Sequence, residues 1–278
     1  MKRAGAAITA LLLAGCLPAA PIPGAAPAPA SLERYQSPLP EFGLTRGPDG
    51  WYLSRMDGPF GSDATSFLWL YRDHEGEPVA ANLGSRSNIG RDFSYDGKRQ
   101  RGCFVRDADI WCALWTAERG WHDAAPLPAP VNTPGYEASP HFAPDGSLYF
   151  ASMREGGPGE GDIYRAVQTG DGWHVSALGP AINSPTGEWN LALSPDGAVL
   201  VFEASGRPAN RTPSGDLYLS CRTSRGWSEA AAMEQLNTDD SDLDFRFHGA
   251  RSGTFTTATI GGDGRLRHAG PEHFARCR

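Results

Sequence analysis

The chain has 278 residues, 40% hydrophobic and 21% charged, with 34 Gly and 23 Pro. It is long enough to bury a sizeable core, while this much aperiodic Gly and Pro excludes a helical bundle and collagen and points to short strands joined by tight turns. The 25 Lys+Arg against 32 Asp+Glu give a net charge of -7, and no basic run exceeds Lys98-Arg99-Gln100-Arg101, which argues against nucleic acid as a partner.

Lys2-Arg3 followed by the apolar stretch Ala4 to Ala14 reads as a secretory signal, too short to span a bilayer as a mature helix. Leu13-Ala14-Gly15-Cys16 resembles the bacterial lipoprotein box, in which the Cys becomes the lipidated first residue. The alternative is ordinary cleavage near Ala30, with Cys16 discarded. Leu17 follows the Cys, which in proteobacterial lipoproteins implies the outer membrane, on its periplasmic side. The expected organisation is a signal over 1–16, a Pro/Ala tether over 17–30 and one domain over 31–278. Without Lys2 and Arg3 the balance is 23 basic to 32 acidic, a net -9. Export makes the other cysteines disulfide candidates. A two-residue turn at Asp107-Ala108 sets Cys103 opposite Cys112 at a non-hydrogen-bonded pair. Cys221 and Cys277 are then paired by elimination.

Along the rest of the chain a unit of about fifty residues repeats. Ser139-Pro140-His141-Phe142-Ala143-Pro144-Asp145-Gly146 answers Asn190-Leu191-Ala192-Leu193-Ser194-Pro195-Asp196-Gly197. Gly161-Asp162-Ile163-Tyr164 answers Gly215-Asp216-Leu217-Tyr218, Gly172-Trp173 answers Gly226-Trp227, and Ile182-Asn183-Ser184 answers Leu236-Asn237-Thr238. A weaker copy carries Tyr95-Asp96-Gly97, Asp109-Ile110-Trp111, Gly120-Trp121 and Val131-Asn132-Thr133, and another starts at Pro48-Asp49-Gly50. Each unit reads as four antiparallel strands, a propeller blade. The predicted fold is all-β, a propeller of five four-stranded blades. The fifth unit lacks an outer strand after Arg265-Leu266-Arg267-His268, and Leu32-Glu33-Arg34-Tyr35-Gln36 is expected to supply it and close the ring. Six blades follow only if residues 31–47 and 248–278 hide a degenerate one.

Counting eight residues back from each Asp-Gly aspartate, and using the Asn-Thr spacing in the last unit, gives first strands beginning at Glu41, Asn88, Glu137, Glu188 and Asp242. Alternate positions within them are mostly apolar, and the intervening ones are polar or small, among them Asp92, His141, Asn190, Asp244 and Arg246. First strands surround a propeller's channel, so Glu41, Asn88, Glu137, His141, Glu188, Asp242 and Arg246 are the candidate binding residues of its mouth. Several carboxylates in one concave site hold a cation or basic group, or raise one pKa for acid catalysis. The competing reading is that each acid caps a neighbouring loop. The recurring Trp121, Trp173 and Trp227 read as blade packing, whereas Trp51 and Trp189 suit either packing or a sugar platform.

The Ser-Pro-Asp-Gly turn, the Asp-Ile-Tyr or Asp-Leu-Tyr strand and the Gly-Trp…Ile-Asn-Ser ending resemble the TolB-like, WD-related β-propeller repeats of bacterial envelope proteins, best over 137–238. That resemblance implies a periplasmic binding or scaffolding module with a protein or glycan partner, more a binder than an enzyme. The alternative is a glycoside hydrolase-like enzyme using channel-mouth carboxylates, with Glu137 as acid and Glu41 or Asp92 as base. No cofactor is expected. Asp239, Asp240, Asp242 and Asp244 are an oxygen-rich cluster that would suit Ca2+, but the loop lacks the EF-hand glycine and glutamate and reads as solvated. The partner's identity and the oligomeric state are not legible in the sequence.

Overall fold

The computed structural model describes residues 29–73 and 76–277. Cys16 and most of the Pro/Ala stretch fall outside these residues. Between Glu41 and Ala269 the chain forms five antiparallel sheets, each built outward in chain order from an inner strand. The inner strands are Glu41–Arg46, Arg91–Asp96, Glu137–Phe142, Gly187–Leu193 and Ser241–Gly249. They meet one another around a central channel, and the fold is a five-bladed β-propeller.

The repeated residues are those whose chemistry each blade reuses. Asp145 and Asp196 each accept a backbone N–H two residues on, from Ser147 at 2.9 Å and Ala198 at 3.0 Å. The glycines after them take φ of +85° and +68°, a region that side chains with a Cβ avoid. Asn132, Asn183 and Asn237 each clamp the third strand of their unit. Their Oδ1 atoms accept the N–H of Ile110, Ile163 and Leu217 at 2.9 Å, and their Nδ2 atoms donate to the same residues' carbonyls at 3.0–3.1 Å. A side-chain amide offers one acceptor and two donors, so it completes a strand edge as another strand would. The recurring tryptophans pack between blades: Trp121 between the first and second, Trp173 between the second and third, Trp227 between the third and fourth. Trp51 is also core, edge-on to His248 at 5.0 Å.

Among the described residues the five largest apolar clusters each lie at an interface between neighbouring blades. Burial at these seams holds the ring together.

The ring does not close through an N-terminal strand. Glu33–Tyr35 is a single 3-10 turn, and the fifth sheet has three strands among the described residues. The i, i+3 spacing of the turn puts Leu32 and Tyr35 on one face. Both are buried with Trp51 and Tyr71 of the first blade and Leu266 of the fifth. Pro38 and Pro40, which lack N–H donors, stand between this turn and the first inner strand. Closure comes from packing and from loops: Thr256 Oγ1 donates to the buried Glu41 carbonyl at 2.7 Å, and Phe60 exchanges two backbone hydrogen bonds with Gly261 and Gly262.

At the other terminus Pro271–Cys277 makes a second 3-10 segment, whose Phe274 is buried against Phe245 and Phe247. A disulfide from Cys277 to Cys221 fastens it to the fourth blade. The other disulfide joins Cys103 to Cys112, directly opposed across their hairpin with Cα atoms 4.1 Å apart. That separation belongs to a non-hydrogen-bonded pair.

Candidate functional site

The acids expected at the channel mouth are loop caps. Glu41, Glu137, Glu188 and Asp242 are all buried, and each accepts the backbone N–H of the residue four positions earlier: Ser37, Thr133, Ser184 and Thr238. Their second oxygens face the neighbouring strand. Glu41 takes Arg55 Nε at 2.9 Å. Glu137 takes Ser152 Oγ at 2.8 Å, with Arg154 at 3.4 Å, and Glu188 takes Arg207 at 2.8 Å. Asp242 takes Thr257 Oγ1 at 2.6 Å. Burial holds the carboxyls of Glu41 and Asp242 above the ordinary range. None of the four lines either cavity of the channel.

Asn88 is not their counterpart. The equivalent position is Gly90, whose N–H bonds Ser66 O as those of Glu137, Glu188 and Asp242 bond Ala108, Gly161 and Gly215. In the second blade Asp96 is itself the last paired residue of its strand, whereas Asp145 lies three residues beyond Phe142. Counting back from Asp-Gly therefore overshoots by two. Asn88 sits in the preceding loop and donates to Leu68 O at 3.1 Å.

The residues that face the channel come two positions later. Gly43, Asp92, Ser139, Asn190 and Asp244 all have left-handed backbones, φ between +45° and +67°. Each lies where its inner strand slips register against the second strand. Such a bulge takes one residue out of the ladder and re-aims its N–H and side chain. Here the freed N–H groups bridge blades. Asp92 N donates to Ser54 Oγ at 3.2 Å, Ser139 N to Asp92 Oδ2 at 3.1 Å, and Asn190 N to Ser139 Oγ at 3.1 Å. Asn190 Nδ2 continues the chain to Glu203 Oε2 at 2.5 Å.

Two residues further along its strand, the buried Arg246 plugs the channel. Its NH2 stands 2.6 Å from Asp244 Oδ1, and its NH1 donates to Phe245 O at 2.9 Å. His141 is packed in the channel near Arg246. Burial and that neighbouring charge drop its pKa to about 3, so it is a neutral imidazole whose Nδ1 has no partner. His248, dropped likewise to about 3 by burial, shares a hydrogen bond with Thr254 Oγ1 at 2.8 Å.

The plug leaves a cavity at each end. The upper one, where the inner strands start, has a volume of about 340 Å³. Its polar lining includes Ser54, Arg91, Asp92, Asn190, Glu203 and Asp244, and its apolar wall includes Phe42, Met56, Phe60 and Leu243. An adjoining hollow of about 280 Å³ shares Arg91, Asn190 and Glu203 and adds Tyr136, Met153 and Trp189. The lower cavity, about 500 Å³, lies among the inner-strand turns and holds His141 and His248. Glu203 is 7% exposed, and burial first, then the Asp244 and Asp92 charges, push its pKa up to about 8. Burial also raises Asp244, against the pull of Arg246. The Arg91 guanidinium lies 5.6 Å from the Tyr136 ring, with its Nε 3.4 Å from Asp92 Oδ2.

Asp92, Asp244 and Arg246 were thus visible as polar positions of the inner strands, and Asn190 with them. Glu203 and Arg91 carry no mark in the repeat. The available signal for Glu203 was one charged residue inside the apolar run Val199 to Ala204. The Asp239–Asp244 cluster disperses: Asp239 pairs with Arg211 and Asp240 accepts from Thr259, while Asp242 and Asp244 act as above. Among the described residues no three potential metal-ligating side chains come together.

Fold and site together define a five-bladed propeller with a plugged channel and a polar upper mouth. No protein-family model and no curated protein sequence matches the chain. Among solved structures it is similar to TolB from Acinetobacter baumannii, with a TM-score of 0.52 and 14% identity over 84% of this chain. The match covers 53% of TolB, so the chain spans about half of that protein's length. A luciferin-regenerating enzyme scores 0.48 at 13% identity, covering 84% of this chain and 74% of its own. A puromycin-hydrolyzing peptidase from Mycobacterium tuberculosis scores 0.45 at 14% identity, covering 89% and 38%. Likeness at this identity shows the propeller fold and nothing finer.

Proposed function

We propose that the protein is a binding module of the bacterial cell envelope, lipid-anchored through Cys16, that recognises a protein or glycan partner through the upper mouth without turning it over. The observation carrying this reading is the make-up of the upper end. Six large hydrophobic residues are exposed among those described, and Leu39, Ile89, Met153 and Ile260 all lie at that end, around the polar mouth. A polar centre rimmed by apolar residues marks an interaction face. Among the described residues the lower end and the blade flanks have only Val79 and Leu114.

The test is in-cell photo-crosslinking from the upper loops, comparing wild type, Met153→Asp with Ile260→Asp, and Leu114→Asp. A discrete adduct lost in the double variant and kept in Leu114→Asp supports the reading. An adduct indifferent to the upper-end changes overturns it. Labelled palmitate should enter wild type and not Cys16→Ser. A second reading, glycoside hydrolysis, is favoured by one observation: three carboxyls, Asp92, Glu203 and Asp244, line the upper cavity, and burial raises the pKa of Glu203, the direction an acid catalyst needs. Release of sugar from a glycan panel, abolished by Glu203→Gln, would establish it in place of simple binding.

A further inference from the structure

We propose that the upper pocket receives an organic cation, the ammonium or guanidinium head of an alkyl chain, as found on lysine and arginine side chains and on free diamines. This deepens the reading of the upper mouth as the binding site and rests on it.

Three carboxyl groups, Asp92, Glu203 and Asp244, line the pocket, and two guanidiniums accompany them. Arg91 is committed to Asp92 and to the face of Tyr136. Arg246 is committed to Asp244 and to Phe245 O, beneath the floor. The third carboxyl, Glu203, is held by the neutral amide of Asn190. The site is one positive charge short, and a buried carboxyl in that position keeps its proton. A second observation points the same way. Glu203 is 7% exposed and lines the cavity, yet among the described residues the one hydrogen bond its carboxyl receives is from Asn190 to Oε2, which leaves Oε1 without a donor. An acceptor buried without a donor is costly, and a ligand N–H satisfies it.

The remaining walls select the rest of the ligand. Phe42, Met56, Phe60 and Leu243 offer an apolar side against which methylenes of an alkyl stem pack, while the charged head reaches the carboxyls. The volume of about 340 Å³ is that of a small-ligand pocket. A phosphate or carboxylate would face three acids. A bare metal ion needs converged oxygens, and among the described residues no such group of three assembles. An organic cation spreads its donors and does not need that convergence. Its arrival favours the ionised form of Glu203, so binding below about pH 8 releases a proton.

Calorimetric titration of the purified full chain with agmatine and cadaverine, and with N-acetyl-arginine and N-acetyl-lysine methylamides, tests this. Butanol, butyrate, CaCl2 and a chitooligosaccharide serve as comparison ligands. The expected result is saturable binding of the cations, at least about tenfold weaker in Glu203→Gln and in Asp92→Asn. Their melting curves report whether each variant is folded. Heats in Tris and phosphate at pH 7 should differ by the ionisation heat of up to one proton per ligand, a difference lost in Glu203→Gln. Tighter binding of the free amines assigns the site to a diffusible cation, and tighter binding of the methylamides to a protein side chain. Absence of cation binding, equal binding by both folded variants, or preference for Ca2+ overturns the proposal. Binding of the oligosaccharide alone would sink the cation assignment and leave the mouth as the binding site. Crosslinks indifferent to the upper end sink both.

Discussion

Glu137 and Glu188 each hold a loop and an arginine in one buried cluster, and Glu137 also takes Ser152 of the neighbouring strand. A glutamine keeps the shape but loses the charge, and it turns an NH2 towards groups that are themselves donors. Glu137→Gln and Glu188→Gln are each expected to cost about 2–3 kcal/mol. Urea unfolding should show this as a lower midpoint at unchanged slope. Glu203→Gln is expected to be stabilising at pH 6.5, because the folded chain there keeps a proton that the unfolded glutamate has already given up, a cost the glutamine does not carry. The difference between these acids was half legible. Periodic recurrence pointed to Glu41, Glu137, Glu188 and Asp242, but recurrence alone is what a structural cap produces. Glu203 occurs in one blade only, at a position where the others have Ser54, Val105, Ala151 and Thr256, and no repeat could mark it.

At the scale of elements, the inner strands combine two devices, a capped start and a bulge two residues later. The sequence signature of the bulge is Gly43, Asp92, Ser139, Asn190 and Asp244, mostly residues that tolerate a left-handed backbone. The alternation of apolar and polar positions does not reveal it, because alternation describes which face a side chain takes and not where the ladder slips. The last blade relies on a different device. Among the described residues it has three strands, and it is held by the C-terminal 3-10 segment through Cys221–Cys277, a pair 56 residues apart. In the chain-entropy account, closing a loop of that length contributes about 4 kcal/mol, against about 2.5 kcal/mol for Cys103–Cys112, whose separation is 9. Replacing both Cys221 and Cys277 by Ser should therefore destabilise more than the matching change at 103 and 112. Faster amide exchange should be concentrated in Ser241–Ala269.

For the whole molecule, buried titratable groups in the channel predict how stability follows pH. His141 and His248, dropped to about 3, contribute stability that is lost as pH falls from 6.5 towards that value. Glu203, raised to about 8, acts in the opposite sense. The folded state keeps a proton that the unfolded chain gives up near 4.5, so its contribution declines as pH climbs from there to about 8. Asp244 adds to that decline over its lower part. Above pH 6.5 the histidines lose what charge they keep in the unfolded chain and add only a small rise, so the fall in stability between pH 6.5 and 8 belongs mainly to Glu203. Melting temperatures across that range should drop in wild type and stay nearly level in Glu203→Gln. A parallel drop in the variant would remove Glu203 from the account.

The sequence by itself determined the blade and its order and favoured five of them, because these rest on local chemistry that recurs along the chain: an apolar alternation in the inner strands, an Asp-Gly turn in four units, and in three units a Gly-Trp hairpin and an asparagine four or five residues before the next strand. It also placed Cys103 opposite Cys112, since one two-residue turn sets that register. The tertiary structure decided what depends on contacts between blades. It made the N-terminal segment a packed turn instead of a strand, assigned the repeated acids to loops, and brought Arg91, Asp92, Glu203 and Asp244 from three blades to one mouth. Such a meeting depends on the ring closing and on bulges that re-aim single residues. Neither leaves a period in the chain, which is why the scaffold is readable along the sequence and its site is not.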